Sequence, residues 1–183
     1  MKWDDDALLE RMTEGWCGGL REGTPCGSGS LKSNTANARK ALPYYLDKYK
    51  IKSVCDAGAG DLYWAQDVFL GRDYRPFDLI PQSPSVVQVD ITKTALPKCD
   101  AIICRLVLIH LDPPRIHAAL KLFRQSARYL FASQYPVLNR FDADKDFNRT
   151  NLIEPPYNLG IPLEVIRDGG DRDCSLCLWD LSC

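Results

Sequence analysis

The sequence predicts an α/β fold in which a mostly parallel sheet ends in a C-terminal antiparallel hairpin. Three observations support this prediction. Short apolar runs alternate with segments of helical periodicity between residues 34 and 133. The first run leads directly into a glycine-spaced turn, Ala57-Gly58-Ala59-Gly60, and two later runs end on Asp78 and Asp90. Such features are typical of a sheet that binds a ligand at the carboxyl ends of its strands.

The chain enters the sheet through a helix predicted over residues 34–49, because Leu42 and Leu46 fall on one apolar side of it. Pro43 marks a kink or a new start within that helix. Residues 51–55 then form a short apolar run, which is typical of a buried strand. The glycine turn follows this strand immediately.

The glycine turn is the most informative stretch of the chain. Glycine lacks a Cβ atom, so Gly58 and Gly60 allow a sharp turn and a close approach of a ligand to the backbone. We expect residues 62–70 to form a short helix that is stopped by Gly71, with free N–H groups near Asp61. A nucleoside site and a purely structural turn both fit this pattern.

Further strands are predicted over residues 74–79, 86–89, 101–104 and 129–133. Asp78 follows the glycines at a spacing of about 20 residues, where a nucleoside-binding sheet places an acid that accepts hydrogen bonds from ribose hydroxyls. An ordinary turn aspartate is the alternative for this residue.

The link between the second and third strands is too short for a helix. It covers residues 79–85 and contains Pro81 and Pro84, whereas a parallel crossover takes about a dozen residues or more. An extended chain of this length can run back along a short strand. We therefore expect a reduced, helix-free connection and a thinly covered sheet face, which a second subunit of a homodimer could cover.

The second half of the chain begins with the clearest helix, predicted over residues 113–129 from two N-terminal prolines and an apolar side. Its polar side is basic, which indicates either a solvated face or a contact with an anionic acceptor or nucleic acid. Residues 163–166 and 174–181 then read as the closing antiparallel hairpin.

The composition is typical of a globular protein, and it gives no reason to expect a membrane protein or a nucleic-acid-binding protein. The 183 residues are 45% hydrophobic and 26% charged, and the net charge is −1. No apolar run approaches the roughly 20 residues of a membrane span, and the acidic first residues lack the apolar core of a signal peptide. We expect a cytoplasmic protein with no membrane partner.

The N-terminal region has two possible interpretations. Residues 1–33, rich in glycine towards their end, form either a loose N-terminal arm or a lid over the domain of residues 34–183.

The eight cysteines include Cys174 and Cys177 at a metal-like spacing, and also Cys17 and Cys26. Reduced thiols are favoured for all of them, and we expect no metal site.

The glycine turn differs from a dinucleotide motif in its charge. The pattern is D-A-G-A-G-D, so Asp56 precedes the first glycine and Asp61 follows the second, which suits a cationic ligand better than a pyrophosphate. The pattern resembles motif I of the class I S-adenosylmethionine-dependent methyltransferases. The stretches GSGSLKSNT, VCDAGAGDLYW, VDITKTALPKCDAIICRLVLIHL and IEPPYNLGIPL are similar to small bacterial and phage-type members of that superfamily whose acceptors are mostly unassigned.

The resemblance implies a Rossmann-like fold, the cofactor S-adenosyl-L-methionine and a set of cofactor-binding residues. Asp56, Gly58, Gly60 and Asp61 would line the methionine part, Asp78 would hold the ribose, Asp90 and Ile91 would meet the adenine, and Arg105 would line the cleft after the fourth strand. The reduced helix after Asp78 departs from the pattern of the superfamily.

Methyl transfer needs a base when the acceptor is a hydroxyl or a protonated amine. His110 is the candidate catalytic residue, since it follows the fourth strand and its unperturbed pKa is close to neutrality. A histidine that only orients its loop is the alternative. His117 falls on the predicted helix and is assigned a structural role.

Two proline motifs are similar to the D-P-P-Y motif of amino-directed DNA methyltransferases. Asp112-Pro113-Pro114 comes too late after the fourth strand and lacks the tyrosine, and Glu154-Pro155-Pro156-Tyr157 follows the fifth strand instead. We interpret the first motif as a helix start and the second as a wall of the acceptor pocket. Nucleic acid is therefore not the favoured acceptor.

The sequence thus predicts a transferase: an S-adenosylmethionine-dependent methyltransferase acting on an unidentified small-molecule acceptor. Two alternatives remain open. One is a non-catalytic module that binds S-adenosylmethionine or S-adenosylhomocysteine and works through a partner. The other is an enzyme that cleaves the same cofactor.

Overall fold

A computed structural model describes residues 24–65, 67–145, 147–168 and 173–182 of the chain. The described elements are helix α1 (Ala36–Lys48), strands β1 (Ser53–Ala57), β2 (Asp73–Asp78), β3 (Val87–Gln88) and β4 (Cys99–Cys104), helix α2 (Pro113–Ser126), and strands β5 (Ala127–Gln134), β6 (Glu164–Arg167) and β7 (Ser175–Asp180). Short 3₁₀ helices lie at Ser28–Ser30 and Leu108–His110. Most of the predicted arm and Cys17 fall outside the described residues.

The strands form one seven-stranded sheet in the order β3-β2-β1-β4-β5-β7-β6. The first five strands are parallel, whereas β7 runs antiparallel between β5 and β6. This arrangement confirms the predicted fold class, including the C-terminal hairpin. Because β1 and β4 are neighbours at the centre, the loops that follow them meet at the same edge of the sheet.

The sheet buries apolar side chains on both faces, as a parallel sheet with cover on each side must. In β4, Ile102 and Ile103 are both fully buried and point into opposite cores. Ile102 belongs to the core beneath α2, together with Phe123, and Ile103 belongs to the core beneath α1, together with Leu42. The two cores hold the strand ends, and therefore the site, in place.

The segment after the glycine turn does not form the predicted helix. Residues 61–65 and 67–71 are a succession of turns, in which the N–H groups of Leu62, Ala65 and Val68 bond to carbonyls three residues earlier. Leu62 has a φ of 66°, which a right-handed helix does not allow. Trp64, Ala65 and Val68 are nevertheless buried in the core on the α1 side. Burial of these side chains, rather than helical periodicity, explains the apolar pattern.

The connection from β2 to β3 is free of helix, as predicted from its length. Strand β3 has only two residues instead of the predicted four, and Val87 is 55% exposed at the edge of the sheet.

Helix α2 ends at Ser126, earlier than predicted, because Ala127 already pairs with Cys99 in the sheet. No helix within the described residues is long and apolar enough to cross a membrane.

Candidate functional site

A cavity of about 420 Å³ lies at the carboxyl ends of the parallel strands. Its lining comes from the glycine turn, from the ends of β2, β3 and β4, from the loop before α2, and from residues 26–30 and 34. Of the predicted site residues, seven line it: Gly58, Gly60, Asp78, Asp90, Ile91, Arg105 and His110. Asp56 and Asp61 are not among the lining residues.

The two glycines of the turn are required by conformation and by their neighbours. Gly58 has a φ of 95° and Gly60 a φ of 57°, which L side chains rarely adopt. A Cβ atom on Gly58 would lie 2.1 Å from the Val107 side chain, and one on Gly60 would lie 2.6 Å from the Cys26 sulfur. The turn therefore lets the loop after β4 and the N-terminal segment close around the cavity.

Asp78 is held by the turn that it faces. One carboxylate oxygen accepts from the Gly60 N–H at 2.8 Å, and the other accepts from the Ile80 N–H at 3.0 Å. Burial raises the pKa of Asp78, although these backbone bonds oppose the shift. Since a carboxylate oxygen can accept more than one bond, both oxygens keep capacity for a donor in the cavity.

Asp90 comes just after β3, the strand next to β2, and also lines the cavity. One of its oxygens accepts from the Thr92 N–H at 2.9 Å and from the Thr92 hydroxyl at 2.6 Å, and the other pairs with Lys93 at 2.7 Å. Burial acts to raise the pKa of Asp90, but the bonds from Lys93 and Thr92 outweigh it and lower the pKa. Asp90 is therefore a charged carboxylate at neutral pH. Ile91, next to it, is 8% exposed.

Asp56 lies behind the glycine turn instead of in the cavity. Side chains alternate along β1, so that Cys55 and Ala57 enter the core on the α2 side while Asp56 points to the other face. There its carboxylate accepts from the Tyr74 hydroxyl at 2.6 Å. Burial raises the pKa of Asp56 to about 7, although the bond from Tyr74 opposes the shift. Thus two of the three strand-end acids share the cavity.

Arg105 is the most heavily bonded side chain of the site. Its guanidinium makes two bonds of 2.9 Å to the carboxylate of Asp168 and one of 2.7 Å to the Gly29 carbonyl, and it lies 5.5 Å from the Trp64 ring centre. The side chains of Arg105 and Asp168 are 4% and 1% exposed. The guanidinium thereby joins β4, the N-terminal segment and the end of β6.

Asp168 is a site residue that the sequence interpretation missed. It precedes two glycines, so its local pattern indicates a hairpin turn. Its partner Arg105 lies 63 positions away in the chain. Only the pairing of β7 between β5 and β6 brings the two together.

His110 ends the 3₁₀ helix that follows β4 and lines the cavity together with Ile109, Tyr135 and Phe147. His117 lies outside the cavity lining, and its ring packs against Tyr157 at 5.2 Å. Of the two histidines of the chain, His110 thus lines the cavity and His117 does not.

Metal-binding side chains do not cluster in the part of the chain that the structure describes: no three His, Cys, Asp or Glu residues are placed to hold an ion. Cys174 and Cys177 are buried free thiols. Cys174 lines the cavity, whereas Cys177 belongs to the core on the α2 side. Despite their metal-like spacing, the two thiols therefore lie in separate environments.

A sheet of this strand order, with its cavity at the carboxyl ends of the parallel strands, defines the Rossmann-like fold of the class I methyltransferases. Magnesium protoporphyrin IX methyltransferase from Synechocystis PCC 6803, solved with S-adenosylmethionine, matches at a TM-score of 0.60 and 16% identity, over 98% of this chain and 97% of that one. Its complex with S-adenosylhomocysteine matches at a TM-score of 0.62.

Human N-acetylserotonin methyltransferase, in complex with S-adenosylmethionine, matches at a TM-score of 0.57 and 12% identity, over 82% of this chain and 53% of that one. The methyltransferase domain of bacterial CtHen1 also matches at 0.57, with 14% identity, over 80% of this chain and 98% of that domain. No family model and no curated protein matches the sequence. At these identities the likeness shows the fold.

Replacing Asp168 with asparagine should lower the free energy of unfolding by about 3 kcal/mol or more, because it leaves a buried guanidinium without its counterion. Urea unfolding followed by circular dichroism measures this change. Asp47→Asn is the matched control, since the Asp47 side chain is 77% exposed in its pair with Arg72 and should cost about 1 kcal/mol or less. Equal losses in both variants would contradict the structural role of the buried pair.

The pKa of Asp56 predicts a dependence of stability on pH. An aspartate in the unfolded chain titrates near about 3.9, whereas Asp56 in the folded protein titrates near about 7. Between these values the folded protein keeps a proton that the unfolded chain has lost, so stability falls as the pH rises. The wild type should therefore lose more unfolding free energy between pH 5 and pH 8 than Asp56→Asn does. Urea unfolding at each pH measures this change. If the unfolding free energies of both proteins changed with pH to the same extent, the assignment of Asp56 would be refuted.

Proposed function

We propose that this protein is an S-adenosylmethionine-dependent methyltransferase that acts on a small molecule. One observation carries the proposal: Asp78 and Asp90, at the ends of neighbouring strands, line a single cavity with the glycine turn. The fold supports it, because solved methyltransferases with this fold hold S-adenosylmethionine or S-adenosylhomocysteine.

The size and the charges of the cavity support this choice of cofactor. The cavity of about 420 Å³ falls within the usual range for small-molecule sites, about 300–1,000 Å³. No α-helix begins at the glycine turn within the described residues, so the turn lacks the anion site that a pyrophosphate would use. Acids at the strand ends, without a phosphate site, favour a cationic nucleoside.

Each predicted cofactor-binding residue has a part in this proposal. Asp78 would accept from the ribose hydroxyls, and Asp90 with the Ile91 backbone would meet the adenine. Gly58 and Gly60 would leave room for the methionine part. Asp56 and Asp61, which do not line the cavity, would act on the methionine part only indirectly, through the turn that they flank. Arg105 would act as a positioning residue, since its donors bind Asp168 and Gly29.

The bound cofactor would supply a methyl group on a positively charged sulfur, and the carbon–sulfur bond would break with its electrons remaining on sulfur. The acceptor's lone pair would form the new bond, and His110 would take the proton that the acceptor loses. Ile109, Tyr135 and Phe147 would exclude water from this end of the cavity.

The described end of the N-terminal arm supports the proposal that the arm acts as a lid. Residues 26–30 line the cavity, and the Gly29 carbonyl accepts from Arg105 at 2.7 Å. We infer that the arm closes over the cofactor and opens for its exchange. The domain of residues 34–183 would carry the remaining lining, and the protein would work in the cytoplasm.

We also propose a homodimer over the sheet face beside β2 and β3, where the connection has no helix to cover it. Val87 exposes 55% of its surface on a strand of only two residues, next to a connection without a helix. A second copy would cover this face and Val87 beside it.

Replacing Asp78 with alanine should weaken S-adenosylmethionine binding at least about tenfold, equivalent to about 1.4 kcal/mol, because the ribose loses its acceptor. Isothermal titration calorimetry with the wild type, Asp78→Ala and Asp47→Ala measures the effect. Asp47 lies outside the cavity lining, so its variant should bind like the wild type. Unchanged affinity in Asp78→Ala would refute the ribose assignment.

Replacing His110 with glutamine should slow methyl transfer by about 100-fold or more while leaving cofactor affinity unchanged, because the base is lost but a polar side chain remains. Methyl-labelled cofactor is incubated with a cell extract, and the label is followed into small-molecule, protein and nucleic-acid fractions. His117→Gln, the matched control, should retain activity.

The same assay separates the rival functions. Binding of the cofactor without transfer of label would indicate a non-catalytic module. Breakdown of the cofactor without transfer would indicate an enzyme that cleaves it. Equal rates for His110→Gln and the wild type would show that His110 only orients its loop.

A further inference from the structure

A second cavity of about 170 Å³ lies beside the main one, and we call it the side cavity. Its lining includes Leu111, Arg140, Phe141, Arg149 and Tyr157. Pro156 and Tyr157 of the second proline motif line this cavity and not the main one. The predicted acceptor wall therefore belongs to a separate compartment.

The two cavities share a wall. Leu111 lines both of them. In the first turn of α2, Arg115 lines the main cavity, while Pro113 lines the side cavity. The wall is held in place from the other side, because the Asn148 N–H donates to the Ile109 carbonyl at 2.6 Å. A molecule that occupies the side cavity thus lies next to the loop that carries His110.

The side cavity differs in the charged residues of its lining from the strand ends of the main cavity, where Asp78 and Asp90 lie. Its described lining contains two arginines and no carboxylate. Arg149 pairs at 3.3 Å with Asp173, and both side chains are about half exposed. Arg140 has no hydrogen bond or ion pair with any residue that the structure describes. Its guanidinium is therefore available to a ligand.

The side cavity also offers aromatic surfaces. Tyr157 is held by its contact with the His117 ring at 5.2 Å. Phe141 is 48% exposed, and Phe147, which lines the main cavity, is 44% exposed. A ligand that covers large, exposed apolar side chains around a cavity removes their apolar surface from water, which favours binding. A planar ring would bury both Phe141 and Tyr157.

Building on the proposed function, we propose that the methyl acceptor is a small aromatic molecule with an anionic group. The anionic group binds Arg140, and the ring lies against Phe141 and Tyr157. The nucleophile of the acceptor extends past Leu111 into the main cavity, beside His110. Arg140 and the carboxylates at the strand ends thereby hold the anionic group of the acceptor and the cationic cofactor at different ends of the site.

The test uses two probes of the same shape, 2-naphthoate and the neutral 2-naphthylmethanol. Each is titrated into the full chain by calorimetry, with and without S-adenosylmethionine. The wild type should bind the carboxylate at least about tenfold more tightly than the alcohol, since a guanidinium–carboxylate pair is charge-assisted. Arg140→Gln should abolish this preference, and Arg140→Lys should restore part of it.

Arg167→Gln is the matched control, because it removes the same charge from an exposed position on β6, outside both cavities. It should keep the preference for the carboxylate. Equal affinity for both probes, or an unchanged preference in Arg140→Gln, would overturn the proposal. Tighter, Arg140-dependent binding of a single-stranded oligonucleotide would overturn it too, in favour of a nucleic-acid acceptor.

The outcome is separable from that of the proposed function. An Arg140-dependent preference in a protein that does not bind S-adenosylmethionine would support the anionic site and refute the methyltransferase. Normal cofactor binding without that preference would refute the anionic site alone.

Discussion

The site depends on one buried ion pair. Arg105 and Asp168 are almost completely shielded from water, and the guanidinium also binds the Gly29 carbonyl. Three parts of the chain that are distant in sequence therefore converge on one side chain at the end of β4. A buried pair stabilises a fold weakly overall, but the loss of either partner is costly. Its main effect here is to define where the N-terminal segment crosses the strand ends.

The parts of the site that are local in sequence were predictable. The glycine turn, Asp78 and Asp90 all lie at or just after the end of a strand, so recognising the strands was enough to predict them at one edge of the sheet. The missing helix after β2 followed from the length of the link. The antiparallel hairpin was likewise predicted, because its two strands are neighbours in the chain.

The parts that depend on tertiary packing were not predictable. The apolar pattern of residues 62–70 indicated a helix, but burial of Trp64 and Val68 is satisfied by a series of turns. Asp56 follows the alternation of β1 to the face away from the cavity, where Tyr74 of the next strand binds it. Arg105 was predicted in the cleft, but its partner depends on the pairing of strands that are far apart in sequence.

The uneven cover of the sheet implies an uneven resistance to local opening. Strands β4 and β5 lie at the centre of both cores, whereas β3 contributes two residues at an edge. Opening at an edge with few buried contacts costs less free energy than opening the centre. We therefore expect the amides at the Asp90 end of the cavity to exchange with solvent faster than those of β4 and β5, and a ligand bound there to slow their exchange.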